Sequence, residues 1–416
     1  MDNYLQCINC NSRYETSEMI YTCTRCNDLL EVKYNYDQVA SLIDTKLWRG
    51  RDFSVWRYRE LLPIDHQTKI VSLGEGGTGL HKSEHLADDL KTRMFSIKFE
   101  GENPTGSFKD RGMTVGISKA IETRARMVAC ASTGNTSASL AAYAAKAGLK
   151  CIVLVPAGRI AKGKIAQAIA HGATILEIEG NFDDALRAII ELTRRNRSIA
   201  LLNSVNPFRI EGQKTLAFEV CDQMNFKSPD VLIVPVGNAG NISAIWKGFG
   251  ELRRVGVIDK TPRIVGIQAE GAAPIASAYK LKSAKIQIVE KPETIATAIR
   301  IGAPASWKKA LRAITESGGL METVSDEEIL QAQKDLARRE GIFVEPASAS
   351  SFAGLRKLIE ERSIERDEEI VCVATGHGLK DPEIVTRIGE EPIRVKSDIE
   401  TIERVLGSER SNTSKI

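Results

Sequence analysis

Little in this chain points outward to a polyanion or a lipid. Its 57 lysines and arginines are offset by 54 acidic residues, leaving a net charge of +3 over 416 residues. No basic run or stripe stands out, so nucleic acid is not an expected partner. No uninterrupted apolar run reaches bilayer-spanning length, and the opening MDNYLQCINC has neither the charged start nor the apolar stretch of a secretory leader. No membrane association and a cytoplasmic location are expected. Short-period repeats and low-complexity tracts are also missing, and only the polar ending GSERSNTSKI reads as unordered. What remains is a globular composition, 43% hydrophobic, at a length that one simple core does not fill, so two or three domains are expected.

The eight cysteines divide into two kinds. Cys130, Cys151, Cys221 and Cys372 stand singly among apolar neighbours, as in MVACAS and CIVLVP, and read as reduced core thiols. Cys7, Cys10, Cys23 and Cys26 instead form C-x2-C, twelve residues, then C-x2-C. Two such turns can each aim two thiolates at one tetrahedral metal, the pattern of a zinc ribbon over residues 1–36. Asn11 and Asn27 follow the second cysteine of each pair, and asparagine tolerates the left-handed turn needed there. The competing reading, two disulfides, conflicts with a cytoplasmic location. Four thiolates close the coordination sphere, so such a metal would support the fold rather than catalyse. The ribbon carries three basic against five acidic residues, a net of about −2 that disfavours phosphate binding by this module.

Residues 37–70 read as helical and irregular, with Trp48 and Trp56 as packing residues. From there apolar runs alternate with helix-like stretches: MFSIKFE, MVACAS, CIVLVPA, TILEIEG, IALLNS, VLIVPVG, RIVGIQAE and EIVCVATG. This alternation predicts an α/β architecture of mostly parallel sheet covered by helices.

In such sheets ligands sit beyond the carboxyl ends of the strands, so the residues after each run are the candidates. After the first comes ENPTGSFKDRG, which places Lys109 where a strand, a turn and a helix meet. A solvated lysine is the ordinary outcome; a buried one there can shed its proton and form a Schiff base. After the second, Ser132, Thr133, Gly134, Asn135 and Thr136 open a helix of small residues. Their hydroxyls and N–H groups suit a carboxylate, where a plain cap would need only one Ser or Thr. Gly237, Asn238, Ala239, Gly240 and Asn241 follow another strand and let backbone N–H groups wrap a phosphate, although they match neither the Walker nor the dinucleotide pattern. Ser204, Asn206 and Arg209 form a candidate anion pocket, and Thr375 and His377 end the last strand, His377 with a structural expectation.

A nucleophilic lysine, a phosphate cradle and a carboxylate-binding helix start together suggest an amino acid held by pyridoxal phosphate. SLGEGGTGL, NPTGSFKDRGM, STGNTSAS, NSVNPFRIEGQK, PVGNAGN, ATAIRIGAP and ATGHGLKDP, in that order from about residue 50 to about 385, resemble the blocks of the threonine synthases, fold-type II pyridoxal-phosphate enzymes. Gly79 in GGTGL departs from the proline many of them carry, which touches only the local turn.

The resemblance implies a tryptophan-synthase-β-like catalytic domain over residues 37–400, with a smaller moving subdomain near 115–200, and a homodimer; residues 401–416 are expected to be a helix end and a disordered tail. It implies Lys109 as the Schiff-base lysine, Asn135 beside the cofactor's phenolic oxygen, residues 237–241 on its phosphate and Thr375 at its pyridine nitrogen. Ser132, Thr133 and Thr136, with Ser204, Asn206 and Arg209, are left for the substrate, O-phosphohomoserine, which water converts to threonine and phosphate. Two alternatives stay open: replacement at Cβ of O-phosphoserine by sulfite, as in a cysteate synthase, and an inactive regulatory zinc-ribbon protein.

Overall fold

A computed structural model describes residues 3–158, 162–180, 182–384 and 392–412. Three strands build the amino-terminal sheet: β1 (Asn3–Cys7), β2 (Arg13–Glu15) and β3 (Leu30–Tyr34), antiparallel in the order β2-β1-β3. The eight apolar runs read from the sequence are all strands. They become β5 (Met94–Phe99), β6 (Met127–Ala131), β7 (Lys150–Pro156), β8 (Thr174–Ile178), β9 (Ile199–Leu201), β10 (Val231–Pro235), β11 (Arg263–Ala269) and β13 (Glu369–Ala374).

Two strands were not anticipated, β4 (Leu80–Lys82) and β12 (Leu320–Val324). Both lie at the edges of the six-stranded sheet and carry little apolar signal: β4 is three residues, two of them polar, and Glu322 and Thr323 interrupt β12.

The strands divide between a four-stranded parallel sheet, β8-β7-β6-β9, and a six-stranded sheet, β12-β11-β10-β13-β5-β4, parallel except for β4. From β10 the chain continues outward to β11 and β12, then returns with β13 to sit between β10 and β5. The order therefore reverses beside β10 and β13, the kind of place where open α/β sheets bind ligands at the carboxyl ends of their strands.

The ribbon is not a free-standing module. Leu30 and Val32 share one apolar cluster with Phe218, Leu232 and Phe249. Tyr34 donates to Glu211 at 2.7 Å, and Lys247 and Lys309 donate to the carbonyls of Val32 and Leu30 at 2.7 and 3.1 Å. Residues 1–381 form one compact unit and 382–416 a second. Trp48 is buried with its indole N–H on Glu60, and Trp56 donates to Thr114, the packing roles expected of them.

In the second unit the ending is helix over Ile399–Asn412, further than expected, with Ile402 and Leu406 following Ile399 at helical spacing; residues 413–416 lie outside the described residues. Among the described residues no helix is long and apolar enough to cross a membrane.

Candidate active site

Lys109 begins the helix Lys109–Glu122, and the turn before it is folded by its neighbour. The Asp110 carboxyl accepts from the Thr105 N–H at 2.7 Å and from its hydroxyl at 2.6 Å, which closes PTGSFKD on itself with Gly106 at φ +83°. The turn is then zipped to the end of β13: Phe108 N–H donates to Thr375 O at 3.0 Å and His377 N–H to Gly106 O at 2.9 Å. Val344 pairs with His377 on the other side. Three segments thus lie side by side and bring Lys109, Thr375 and Glu345 to one place.

Lys109 is half-buried, yet its amine lies among enough protein that burial, aided by the charge of Arg209 and opposed by Glu345, lowers its pKa to about 7. A substantial share of it is the free base at neutral pH, which is what a nucleophile at a carbonyl carbon requires.

Around it stand the other candidates. The helix Asn135–Ala147 has Gly134 at its cap and no side-chain cap bond, so its first N–H groups are not claimed by a capping residue. Ser132, Thr133, Asn135 and Thr136 are half-buried there, and Ser132 Oγ accepts from Gly134 N–H at 3.2 Å. Asn135 Nδ2 donates to Glu345 at 3.0 and 3.3 Å. Thr375 is buried, its hydroxyl 2.9 Å from Ser348 Oγ and 3.4 Å from Glu345.

The cradle fits a phosphate. Ala239 is left-handed, φ +64°, and Gly240 then opens the helix Gly240–Arg254, so successive N–H groups turn to one side. A Cβ at Gly237 would stand 2.9 Å from Ile299 Cα, so only glycine keeps this close approach. Asn241 is buried with neither amide atom partnered, a donor awaiting an acceptor. Asn238 ties the loop down, donating to Ser204 Oγ at 2.7 Å and accepting from Ala305 N–H at 2.6 Å.

Arg209, on the helix Pro207–Gln213, is 2% exposed. One guanidinium nitrogen donates to Leu202 O at 3.2 Å, Nε is buried without a partner, and no carboxylate among the described residues pairs with it. Burial lowers its pKa to about 10. Its place is set by backbone contact between two helices: a Cβ at Gly212 would stand 1.8 Å from Arg111 O, and one at Gly112 2.9 Å from Arg209 O. Asn206, expected to face the anion, is engaged by backbone at both ends of its amide, accepting from Phe208 N–H at 2.9 Å and donating to Leu201 O at 2.8 Å. It shapes the pocket as the cap of Arg209's helix. His377 caps the turn that follows it and stacks on Phe99, the structural role expected.

Glu345 escaped the sequence reading. Its signal was an acidic residue directly before a proline and a run of small residues, EPASAS, which resembles any helix start.

In the ribbon the four Sγ atoms lie within 4.8 Å of one another, with none of the four thiols in a disulfide. Asn11 and Asn27 are left-handed at φ 58° and 59°. Backbone N–H groups of Asn9 and Arg25 point at the sulfurs of Cys7 and Cys23 at 3.4 Å.

A lysine of lowered pKa and a glycine loop suited to a phosphate point to a class, and comparison with known proteins gives it: residues 71–376 match the family of pyridoxal-phosphate dependent enzymes, to which this chain belongs. Within that class it is a member of the threonine synthase family. It is 56% identical over 401 residues to threonine synthase of Methanocaldococcus jannaschii, covering 96% of this chain and 98% of that one. It is 54% identical to that of Methanosarcina acetivorans, covering 97% and 98%. Among solved structures, threonine deaminase isoform 2 of Solanum lycopersicum is similar in fold, with a TM-score of 0.63 at 23% identity over 75% of this chain and 88% of that one.

Proposed function

We infer that this chain is a threonine synthase, converting O-phosphohomoserine and water to L-threonine and phosphate with pyridoxal phosphate as cofactor. Identity above 50% to relatives of that name over almost the whole chain supports the activity. The observation that carries the substrate is Arg209, a buried cation with no carboxylate partner among the described residues, in addition to the cradle that suits the cofactor's own phosphate.

Lys109 would hold the cofactor covalently, residues 237–241 its phosphate, Asn135 its phenolic oxygen and Thr375 its pyridine nitrogen. Bound pyridoxal phosphate supplies an electron sink for the carbanions that form when the amino acid loses a proton. This chain's residues do the rest. The open start of the helix Asn135–Ala147, with Ser132, Thr133 and Thr136, receives the substrate carboxylate. Arg209 and Ser204 receive the γ-phosphate, holding it as it leaves. Lys109 has a pKa suited to moving protons near neutral pH, taking them from Cα and Cβ and leaving one for Cγ, which becomes the methyl group of threonine after phosphate departs. Water then adds at Cβ.

The same reading gives Cys7, Cys10, Cys23 and Cys26 one zinc ion. Four clustered sulfurs with turn N–H groups suit it, and a closed site supports β3 against the helices it touches. Protein purified without chelator should carry one zinc per chain; four thiols found as two disulfides and no zinc would refute this.

The deciding assay offers the purified protein O-phosphohomoserine and, separately, O-phosphoserine with sulfite, and scores phosphate and amino-acid products. Threonine from the first supports the reading; cysteate from the second with no threonine from the first overturns it. Borohydride reduction should trap the cofactor on Lys109 and not in Lys109→Ala, and an adduct persisting in that variant would remove Lys109 from its role.

A further inference from the structure

Glu345 is a buried carboxyl without a task in the reading above. It stands at the cap position of the helix Pro346–Glu360 but makes no side-chain cap bond there. The side chain turns instead toward Asn135 and Thr375, accepting from the Asn135 amide at 3.0 and 3.3 Å and from the Thr375 hydroxyl at 3.4 Å. Its place is fixed by backbone. Glu345 N–H donates to Gly376 O at 3.1 Å, and a Cβ at Gly376 would come 2.7 Å from its carboxyl oxygen. Burial raises its pKa, against the Asn135 hydrogen bond and the charges of Lys380 and Lys109.

An asparagine amide has a donating and an accepting end of nearly equal shape. A carboxyl oxygen can only be approached by the donating end unless it is itself protonated and donates. With two carboxyl oxygens on Nδ2, one amide N–H is consumed, the NH2 end is held in the site and the carbonyl end is turned away. A phenolic oxygen beside Asn135 then meets the second N–H.

We propose that Glu345 is a positioning residue of the cofactor site, fixing the Asn135 amide so that its N–H, and not its carbonyl, is offered to the cofactor's phenolic oxygen. The proposal rests on the cofactor reading above. Glu345 itself need not touch the reacting atoms. It acts through Asn135, as outer partners orient the ligands of a metal site.

The test reads cofactor retention and the visible absorbance of the full-length holoenzyme, not turnover. Glu345→Met keeps side-chain length and removes both acceptor oxygens, while Glu345→Gln keeps one. Glu345→Met and Asn135→Ala should each weaken pyridoxal-phosphate binding about ten- to a hundredfold and shift the visible band. The double variant should be no weaker than the weaker single one, and Glu345→Gln should stay within a few fold of the original, about the size of one neutral hydrogen bond. Losses that multiply in the double variant, or full retention by Glu345→Met, overturn the proposal. If Glu345→Met does not fold, Glu345→Ala in both backgrounds gives the same comparison. The underlying reading fails in a different arm: an unchanged band in Asn135→Ala removes Asn135 from the cofactor and this proposal with it. A changed band there with multiplying losses overturns Glu345 alone.

Discussion

Arg111 and Arg209 sit on two helices in backbone contact, 0% and 2% exposed, and their surroundings could hardly differ more. Arg111 meets Glu100 through Nε and Nη2, at 2.5 and 2.7 Å, and Glu219 through both terminal nitrogens, at 2.6 and 2.9 Å. Lys98 adds a second cation on Glu219 at 2.7 Å. Burial alone would raise the Glu219 pKa, but Arg111 and Lys98 overcome it and hold the carboxyl below its usual range. Arg209 has one carbonyl and an orphaned Nε. A buried arginine whose charge and donors are met belongs to the architecture; one that, among the described residues, has a single carbonyl and an unmet Nε is what a site for an arriving anion would need.

The comparison breaks most visibly in stability. Arg111→Leu leaves two buried carboxylates with Lys98 and the neutral donors of Thr78 and Asn103, and should cost about 3–5 kcal/mol in urea unfolding. Arg209→Leu removes an unpaired buried cation and should cost less than about 1 kcal/mol. Equal losses would mean that Arg209 is architecture too.

Inorganic phosphate sharpens the contrast next. With the cradle filled by cofactor, phosphate at 100 times its dissociation constant should stabilise the holoenzyme by about 2.7 kcal/mol. It should leave Arg209→Leu unmoved, as read by the shift of the melting temperature.

The smallest effect is in pH. A lysine attacks a carbonyl only as the free base, so with Lys109 in its proposed role attachment of pyridoxal phosphate to apoprotein should quicken as pH rises through about 7 and level off above it. Burial is the larger cause of that low pKa and the Arg209 charge the second, so Arg209→Leu should move the midpoint upward, while Arg111→Leu, where it folds, should not move it in the same way. A midpoint that stays put would show that Arg209 does not reach Lys109.

What could be read from the sequence follows from what is local. Lys109 was visible because strand, turn and helix are contiguous around it, and Asn11 and Asn27 because a left-handed turn selects its residue at one position. The eight strands read from the sequence announced themselves as runs rich in apolar residues, whereas β4, with two polar residues in three, and β12, interrupted by Glu322 and Thr323, did not. Glu345 was hidden because Val344 and Glu345 reach the site by pairing with residues more than thirty positions on, His377 and Gly376, and no local pattern records such pairing. Asn206 has a local role beside the one expected of it: an asparagine before a proline is first of all a helix cap, and its amide is engaged there. The difference between Arg111 and Arg209 was equally beyond reach, since DRG and FRI carry no sign of which arginine the fold surrounds with carboxylates.

The most direct test of the account compares the original protein with Arg209→Ala on O-phosphohomoserine and on an unphosphorylated amino acid whose reaction with the cofactor is followed by absorbance. A charge-assisted hydrogen bond worth roughly 1.5 to 3 kcal/mol predicts that kcat/KM on the phosphorylated substrate falls about ten- to a few hundredfold. The unphosphorylated amino acid should react as before. Equal losses on both would contradict the assignment of Arg209 to the substrate phosphate.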